Sequence, residues 1–348
     1  MCDGYFGQST GKTANGLVRY SKRYLIAGVI DHTKAGRDAG DVLDGNPNGV
    51  PIVAGLREAV ETCRPETLII GVATFGGYIP KEFRPIIREA IENRLNIVAG
   101  LHEYLNDDPE FAKLAEANGV RLVDVRKPRP IRESKQFSDL SRKLPCLRIP
   151  VLGTDGAIGK RTTALLLTDA LNAAGMPAAF VATGQTGLLQ GSAYGVPLDS
   201  IKADFMVGEL ESEIVRAYGE TRARVVVVEG QGSISHPAYV CGTRAIIMAS
   251  MPSAILMMHA PARKTRSFRR DVVAWPMPTV DEEIDWLQFY TRPIGGGKVI
   301  GIGINHENMT RDEVEQTTRA YETKYGLPTA DPLWHGCGKF VDAIRRMS

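Results

Sequence analysis

The chain has 348 residues, of which 43% are hydrophobic and 24% are charged, and its formal net charge is +2. At roughly 100–200 residues per domain, this length predicts two domains whose cores need neither disulfides nor structural metals. The small net charge excludes a global field that would attract nucleic acid or membranes, and no apolar run reaches the roughly 18 residues that span a bilayer. Five scattered cysteines without a CxxC pair are typical of reduced thiols in a cytoplasmic protein.

Residues 1–125 predict a Rossmann-like domain, because strands and helices alternate from residue 24 onwards. Strands are expected at 24–30, 67–73, 96–100 and 120–124, and helices at 53–62, 83–92 and 109–118. Helices of this length between strands favour right-handed βαβ units and a parallel sheet. No GxGxxG follows the first strand, so ordinary NAD binding is not indicated. The segment GQSTGKT (7–13) is one residue short of a P-loop and has no strand before it, so we interpret it as a loop.

Residues 126–146 are interpreted as a linker, because they are rich in proline, lysine and arginine and lack apolar periodicity. Their charges are expected to be solvated, or else to form a basic wall of a binding site. Residues 147–348 predict a P-loop NTPase-like α/β domain with a mostly parallel sheet. Its strands are expected at 147–152, 178–182, 225–229, 254–258 and 298–304, and its helices at 162–174, 211–217 and 313–325. In such sheets, ligands bind beyond the carboxyl ends of the strands.

The most specific motif is GTDGAIGK at residues 153–160, which follows an apolar strand and precedes a helix. Glycines allow the backbone to turn tightly and to direct its N–H groups inwards, the helix N-terminus adds positive potential, and a lysine adds a full charge. The motif therefore predicts a phosphate-binding P-loop. Its expected cofactor-binding residues are Gly153, Thr154, Asp155, Gly156, Gly159 and Lys160, followed by Arg161 and Thr162.

The P-loop departs from the usual pattern at Arg161, where a Ser or Thr normally ligates Mg²⁺. Thr162 and Thr163 come one and two positions later, and one position on a helix turns a side chain by about 100°. We therefore expect a phosphate cradle for which Mg²⁺ is possible but not essential, and no protein metal site.

Polar side chains follow other strands of the second domain. Glu229 ends a strand of four valines, and His236 comes after it in EGQGSISHP. Both are expected to be catalytic, with His236 as the base, since an unperturbed histidine has a pKa near ~6.5, and Glu229 as its orienter or a remnant of a metal site. A turn histidine is the alternative. Asp204 is a third catalytic candidate, and Glu209 and His102 are reserves.

The remaining candidates would contact substrate or cofactor. Asn305, after the last apolar strand, is expected to read a base edge through its amide or to cap a helix. The segment PARKTRSFRR (261–270) offers five basic side chains to carboxylates or phosphates, or forms a solvated loop. The substrate-binding candidates are Gln185, Thr186, Gln231 and Ser233.

The motifs resemble known enzymes at two levels. GTDGAIGK and VVVVEGQGS resemble the P-loop and acidic strand of dethiobiotin synthetase and related cobyrinic acid and nitrogenase-iron-protein-like enzymes, and Asn305 resembles their base-reading asparagine. Seven runs in order, among them GKTANGLVRYS (11–21), VIDHTKAG (29–36), GLHEYLNDD, DVRKP and TGQTGLLQG, resemble the DgcN family of N-acetyltransferases. That family, long classed as a domain of unknown function, couples a Rossmann-like domain to a P-loop domain.

The resemblance to the DgcN family implies acetylation of the amino group of D-glutamate with acetyl-CoA, in D-amino acid catabolism. It also implies a homodimer or higher homo-oligomer that takes a small-molecule substrate, without nucleic acid or membrane partners. Coenzyme A carries a pyrophosphate and a 3′-phosphate, which suit a cradle without the usual Mg²⁺ hydroxyl. The alternatives are an ATP-dependent kinase or ligase acting on a carboxylate, and a nucleotide-sensing protein without chemistry.

Overall fold

Every strand pair in the described part of the chain is parallel, as the alternation of strands and helices predicts. The computed structural model describes residues 1–266 and 274–347. The chain divides into two units: the first comprises Met1–Arg129 and Gln185–Gly191, and the second comprises Pro130–Gly184 and Ser192–Ser348. Among the described residues, no helix has both the length and the apolarity needed to cross a bilayer.

The first unit contains two parallel sheets, one with two strands and one with three. The strands are β1 (Val29–Ile30), β2 (Ile52–Val53), β3 (Thr67–Ile70), β4 (Asn96–Ala99) and β5 (Leu122–Asp124). The helices are α1 (Lys12–Tyr20), α2 (Ala39–Asp44), α3 (Leu56–Cys63), α4 (Phe83–Glu92) and α5 (Pro109–Asn118). The ends of α5 show how local chemistry sets an element: Asp108 accepts from the backbone N–H groups of Glu110 and Phe111, and Gly119 ends the helix at φ 67°.

Three expectations for the first unit are wrong in detail. The strand predicted at 24–30 is reduced to Val29–Ile30, because β2 offers only two residues to pair with it. Strand β2 and helices α1 and α2 were not predicted. The segment 7–13 is not a loop throughout, since α1 begins at Lys12.

The second unit is built on a seven-stranded sheet with the order β12-β11-β10-β6-β9-β7-β8. Its strands are β6 (Leu147–Gly153), β7 (Ala178–Ala182), β8 (Tyr194–Gly195), β9 (Val225–Glu229), β10 (Ala254–His259), β11 (Lys298–Ile304) and β12 (Thr329–Ala330). The other helices among the described residues are α6 (Lys160–Ala173), α7 (Gln185–Leu189), α8 (Ala203–Thr221), α9 (Cys241–Ser250), α10 (Val280–Thr291), α11 (Arg311–Tyr325) and α12 (Gly338–Arg345). All of these helices except α7 belong to the second unit.

Strand β6 lies between β9 and β10, so that both of its edges are paired. Its side chains alternate between two cores, with Ile149 and Val151 packed in one cluster and Leu152 in the other. The four valines of β9 divide in the same way and are fully buried. Burial on both faces explains why these strands are continuous apolar runs, and it makes the P-loop strand a rigid base for the site.

The segment Gln185–Gly191, which contains α7, belongs to the first unit, although the sequence predicts one domain over 147–348. Leu189 packs in a cluster with Leu17 and Val98, and the Gln190 amide donates to the carbonyl of Gly16 at 2.7 Å. The short run of apolar residues in TGLLQG is therefore part of the first core. Periodicity along the chain carries no information about which core such a short element joins.

The predicted linker at 126–146 contains the boundary between the two units, and its basic side chains are exposed, as expected, except that of Arg126. Residues up to Arg129 belong to the first unit, and those from Pro130 to the second. Glu211 of α8, which is buried, accepts hydrogen bonds from the backbone of Ser138 at 2.6 Å and of Leu140 at 2.8 Å. One buried carboxylate thus fastens this basic segment to a helix, which the composition of the segment does not reveal.

Candidate active site at the P-loop

The P-loop leaves the end of β6, reverses direction and enters α6, as the sequence predicts. The reversal needs two residues in the left-handed region, Ala157 at φ 52° and Gly159 at φ 93°. A Cβ at Gly153 would overlap the carbonyl oxygen of Met258 on β10, whereas a Cβ at Gly156 would meet no atom within 4 Å. The loop is therefore packed tightly against the sheet at Gly153 and open at Gly156, where the N-terminus of a 14-residue helix can attract an anion.

Lys160 is buried, and its ammonium group donates a hydrogen bond to the carbonyl oxygen of Asp155 in the same loop. Burial lowers the pKa of Lys160 to about 8, although the nearby carboxylates of Asp155, Glu283 and Glu229 oppose the decrease. An anion bound in the loop would stabilise the ammonium form and raise this pKa.

The residues after Lys160 do not place a hydroxyl where Mg²⁺ is usually ligated. Arg161 and Thr162 are half-buried, and the Thr163 hydroxyl donates to the sulfur of Met258 at 3.3 Å in the core. Within residues 1–266 and 274–347, the side chains spaced to hold a metal ion are Asp3, Asp31 and His32 of the first unit.

Two arginines of the basic segment after β10 hold the loops of this site together. Arg263 donates to Asp155 Oδ2 at 2.9 Å and to the carbonyl of Gly156 at 2.8 Å, and it forms an ion pair with Glu307. Arg266 donates to the carbonyl of Thr154 at 3.1 Å. These two side chains are therefore held by the protein and do not form the solvated loop that one alternative predicts, whereas their binding of carboxylates or phosphates stays a prediction. Residues 267–270, which include the other two arginines of the segment, lie outside the described residues.

Glu229 lies beside the P-loop strand, because it pairs in register with Val151 of β6. This confirms the predicted proximity of the acidic strand to the loop. The buried carboxylate accepts hydrogen bonds through Oε2 from the backbone N–H groups of Thr183 at 2.9 Å and Gly184 at 3.3 Å. Glu229 thus lies at the edge formed by the carboxyl ends of the strands, and backbone N–H groups that follow β7 hold its carboxylate in place.

His236 is buried with its Nδ1 atom facing the backbone. Nδ1 accepts hydrogen bonds from the N–H groups of Ala238 at 3.0 Å and Tyr239 at 2.9 Å, and the ring stacks on Tyr239 at a centroid distance of 4.8 Å. These two donors assign the proton of the neutral ring to Nε2, which lies 3.6 Å from Asp155 Oδ1.

The pKa of His236 also argues against the predicted role of base. Burial lowers it to about 4, and the nearby charges of Arg266 and Lys160 act in the same direction against Asp155. The only lone pair of the neutral ring is engaged by two backbone donors. His236 is therefore a hydrogen-bonded support for its turn, with an N–H directed toward the P-loop aspartate, and the expectation that its pKa is unperturbed is wrong.

A fully buried glutamate of this site, Glu283 on α10, was not predicted. It accepts from the backbone N–H of Ile234 at 3.2 Å and from the Ser235 hydroxyl, and burial raises its pKa while Arg266 and Lys160 oppose the rise. In the sequence it belongs to an acidic first turn that also contains a capping box, which is typical of an exposed helix start. Its contact lies 48 residues away in the chain, so no local pattern identifies it.

His259, at the end of β10, is a second residue missed from the sequence. Its Nδ1 lies 3.0 Å from the hydroxyl oxygen of Thr154, and burial lowers its pKa to about 4. Its position after an apolar strand, equivalent to that of Glu229, was the available signal.

The predicted substrate-binding residues separate into the two units. Ser233 and Gln231 lie on the loop after β9, where the Ser233 hydroxyl accepts from Arg266 at 2.8 Å and the Gln231 amide donates to the carbonyl of Thr183. Gln185 and Thr186 are buried in the first unit. Gln185 accepts from Arg126 at 2.9 Å, and the hydroxyl oxygens of Thr186 and Thr13 are 2.9 Å apart.

Asn305 lies beside the P-loop, with its Nδ2 atom 3.6 Å from where a Cβ of Gly159 would lie. Its Oδ1 accepts from the backbone N–H of Glu307 at 2.9 Å, so the local capping bond is present as well. Asp204 is exposed in the first turn of α8, and Glu209 of the same helix accepts from the backbone of Lys135 at 2.9 Å. Glu209 therefore has a structural contact, and Asp204 lies on the surface.

Comparisons with known proteins agree with this architecture. Residues 135–341 match the P-loop domain of a domain of unknown function, DUF1611, and residues 32–128 match its Rossmann-like N-terminal domain. A crystal structure of a DUF1611 family protein from Anabaena variabilis is similar, with a TM-score of 0.88, 31% sequence identity, and coverage of 98% of this chain and 96% of that chain. The predicted fold class, a Rossmann-like domain followed by a P-loop domain, is confirmed.

Two curated relatives carry the name D-glutamate N-acetyltransferase. The protein from Tritonibacter scottomollicae is 35% identical over 291 residues, which cover 82% of this chain and 83% of the relative. The protein from Pseudoalteromonas sp. is 31% identical over 302 residues, covering 84% and 87%. With both domains matched in order and relatives that extend over most of its length, the chain belongs to the DUF1611 family.

Proposed function

We propose that this protein is an N-acetyltransferase that transfers the acetyl group of acetyl-CoA to the amino nitrogen of D-glutamate, in D-amino acid catabolism in the cytoplasm. The observation that carries the proposal is the similarity to two proteins of that name, at 35% and 31% identity over more than four fifths of this chain. The architecture of the second unit is compatible with it, because the P-loop offers an anion site without the usual metal-binding hydroxyl.

The P-loop is the proposed binding site for a phosphate group of coenzyme A. Its N–H groups at the start of α6 and the Lys160 ammonium supply positive charge, and the open side at Gly156 leaves room for an anion. The Asp155 carboxylate would oppose an anion, but Arg263 is paired with it at 2.9 Å. Asn305, beside Gly159, is the proposed contact of the adenine base.

The transfer requires a neutral amine, because a free α-amino group is mostly protonated at pH 7. The α-ammonium group first loses one proton to solvent. The amine nitrogen then bonds to the thioester carbonyl carbon, the C–S bond breaks, and the thiolate of coenzyme A leaves. We assign acceptance of the amine proton to Glu229, a buried carboxylate at the sheet edge whose Oε2 is held by two backbone N–H groups. The same proton can then neutralise the leaving thiolate. Gln231 and Ser233, which follow Glu229 on its loop, are the proposed substrate contacts.

A second candidate function is ATP-dependent phosphoryl transfer or ligation. The pairing of Val151 with Glu229 places an acidic residue on the strand next to the P-loop strand, which favours this second function, because such a residue holds Mg²⁺ in P-loop NTPases. The residue after Lys160 is unfavourable for it, because Arg161 stands where the metal-binding hydroxyl is usual and the Thr163 hydroxyl donates to the sulfur of Met258 in the core.

The two candidates are separated by measuring the release of coenzyme A from acetyl-CoA with D-glutamate and L-glutamate, and the release of ADP from Mg·ATP with the same amino acids. We expect coenzyme A release with D-glutamate, little with L-glutamate, and no ATP turnover. Turnover of ATP without acetyl-CoA would contradict the proposal. A thiol reagent also reacts with the exposed Cys241, so each assay needs an enzyme blank.

The matched variants for this assay are Glu229→Gln and Asp204→Asn. Removing a positioned base typically lowers the rate by about 10²–10⁴-fold. We expect that loss for Glu229→Gln with unchanged affinity for acetyl-CoA, whereas Asp204→Asn, on the surface, should remain active. If Asp204→Asn loses activity instead, Glu229 is not the base.

A further inference from the structure

Helix α10 carries an exposed aromatic surface on the second unit. Trp286 is 47% exposed and Phe289 is 62% exposed, one helical turn apart. Tyr290 contacts both rings, at centroid distances of 6.2 Å to Trp286 and 5.9 Å to Phe289, and the guanidinium of Arg244 lies 5.1 Å from the Tyr290 centroid. The rings therefore support one another within the protein.

A groove lies next to this aromatic surface. It has a volume of about 440 Å³ and is lined by Met248, Phe289, Tyr290, Arg292 and Pro293. The surface thus presents a projecting apolar ring beside an apolar recess, and Phe289 belongs to both. A surface that contains both a projection and a recess can be complementary to a copy of itself across a two-fold axis.

The charges around the aromatic surface have the order that a two-fold arrangement requires. Asp285, Phe289 and Arg292 are spaced i, i+4 and i+7, so they lie on one stripe, because seven residues are close to two helical turns. Asp285 and Arg292 are both exposed, and neither makes an ion pair or hydrogen bond within the described residues. The stripe therefore reads acidic, aromatic, basic along the helix.

We propose that this face of α10 is the interface of a homodimer, in which α10 packs antiparallel against α10 of a second copy. With the two-fold axis beside Phe289, Asp285 faces the partner's Arg292 at one end and Arg292 faces the partner's Asp285 at the other. A parallel pairing would instead oppose like charges. Two ion pairs flank a central aromatic contact, which is the usual arrangement of an apolar centre and a polar rim. The inference does not depend on the reaction that the protein catalyses.

The test is sedimentation velocity of the full chain across a concentration series, with four variants. Phe289→Asp places a charge at the centre of the interface and should raise the dimer dissociation constant by at least about 30-fold, as expected for a central aromatic anchor. Leu25→Asp is the matched control, since Leu25 is a 97% exposed apolar residue of the first unit and should leave the dimer intact.

The charge order is tested by reversing it. Asp285→Arg alone places two arginines opposite each other across the interface and should raise the dimer dissociation constant by about tenfold or more. Arg292→Asp alone places two aspartates opposite each other and should have the same effect. Combining both substitutions restores opposite charges at each end and should recover the dimer. A monomeric wild-type protein at tens of micromolar, or a dimer that is unaffected by Phe289→Asp, would overturn the proposal. Single reversals that are not rescued by the double reversal would overturn the antiparallel arrangement.

Discussion

Replacing His236 separates two roles, because the structure makes it a support and the sequence suggests a base. In His236→Ala, the N–H groups of Ala238 and Tyr239 lose their acceptor, and Tyr239 loses its stacked ring. Because Ala238 and Tyr239 are exposed, water can replace the lost acceptor, so each hydrogen bond contributes about 0.5–1.5 kcal/mol, and an aromatic pair contributes about 0.5–1.5 kcal/mol. We therefore expect His236→Ala to lower the free energy of unfolding by about 1.5–4.5 kcal/mol.

The informative comparison is His236→Asn. The Asn amide oxygen can replace Nδ1 as the acceptor of both N–H groups, but an amide is unable to take up the proton of an amine. If His236 is a support, His236→Asn should recover at least half of the lost stability and retain turnover within about tenfold. A base would behave differently, since its removal typically lowers the rate by about 10²–10⁴-fold.

The assay combines urea unfolding at pH 7 with the steady-state rate of coenzyme A release for the wild-type protein and both variants. The reasoning is refuted if His236→Asn is as stable as the wild-type protein but has lost its turnover, or if His236→Ala is fully stable.

Three further predictions follow from burial and packing. Burial lowers the pKa of Lys160 to about 8, so the affinity for coenzyme A should be constant below pH 7 and fall by at most about tenfold per pH unit as the pH rises through 8. The affinity of Lys160→Arg should not change with pH. Calorimetric titration measures both affinities, and a fall in both proteins would contradict the prediction. Burial lowers the pKa of His236 and His259 to about 4, so the unfolded chain binds more protons than the folded one between pH 6.5 and 4, and stability should be lost as the pH falls through that window. The loss in the free energy of unfolding is about 1.4 kcal/mol per unit of pKa shift for each ring. In urea unfolding, His259→Gln should reduce the dependence of this free energy on pH. An unchanged pH dependence would show that His259 is not buried as a neutral ring. Gly230→Ala should destabilise the fold by about 1–3 kcal/mol or more, because its Cβ would overlap the carbonyl oxygen of Val151. Gly156→Ala should leave the stability unchanged and weaken phosphate binding, since its Cβ would meet no atom within 4 Å. Equal unfolding curves for the two variants would contradict the described loop.

The parts of the fold that the sequence predicts well are those where one local pattern is sufficient. The strand Val225–Glu229 and the helices Phe83–Glu92 and Pro109–Asn118 were expected with these bounds, because an uninterrupted apolar run or an amphipathic helical pattern can be recognised within its own segment. The P-loop belongs to the same class, since its glycines and lysine act within eight residues of chain.

The parts that the sequence does not predict depend on contacts between distant segments. Glu211 fastens residues that lie 70–73 positions away, and Glu283 holds a loop 48–49 positions away. For His236 the residue type was noticed, but its role depends on which ring nitrogen faces the backbone, and that is set by the turn after it. Helix α7 packs with the first unit although it lies within the matched P-loop domain, because membership of a core is a three-dimensional property.

The most direct test of the proposed reaction identifies its product. The full chain is incubated with D-glutamate and acetyl-CoA carrying a ¹³C-labelled acetyl carbonyl, without ATP, and the products are followed by NMR and mass spectrometry. We expect one labelled acetyl group in an amide with the amino nitrogen for each coenzyme A released, a strong preference for D- over L-glutamate, and loss of the signal in Glu229→Gln. An unlabelled glutamate pool after prolonged incubation, or a labelled product that forms only when ATP is added and consumed, would contradict it.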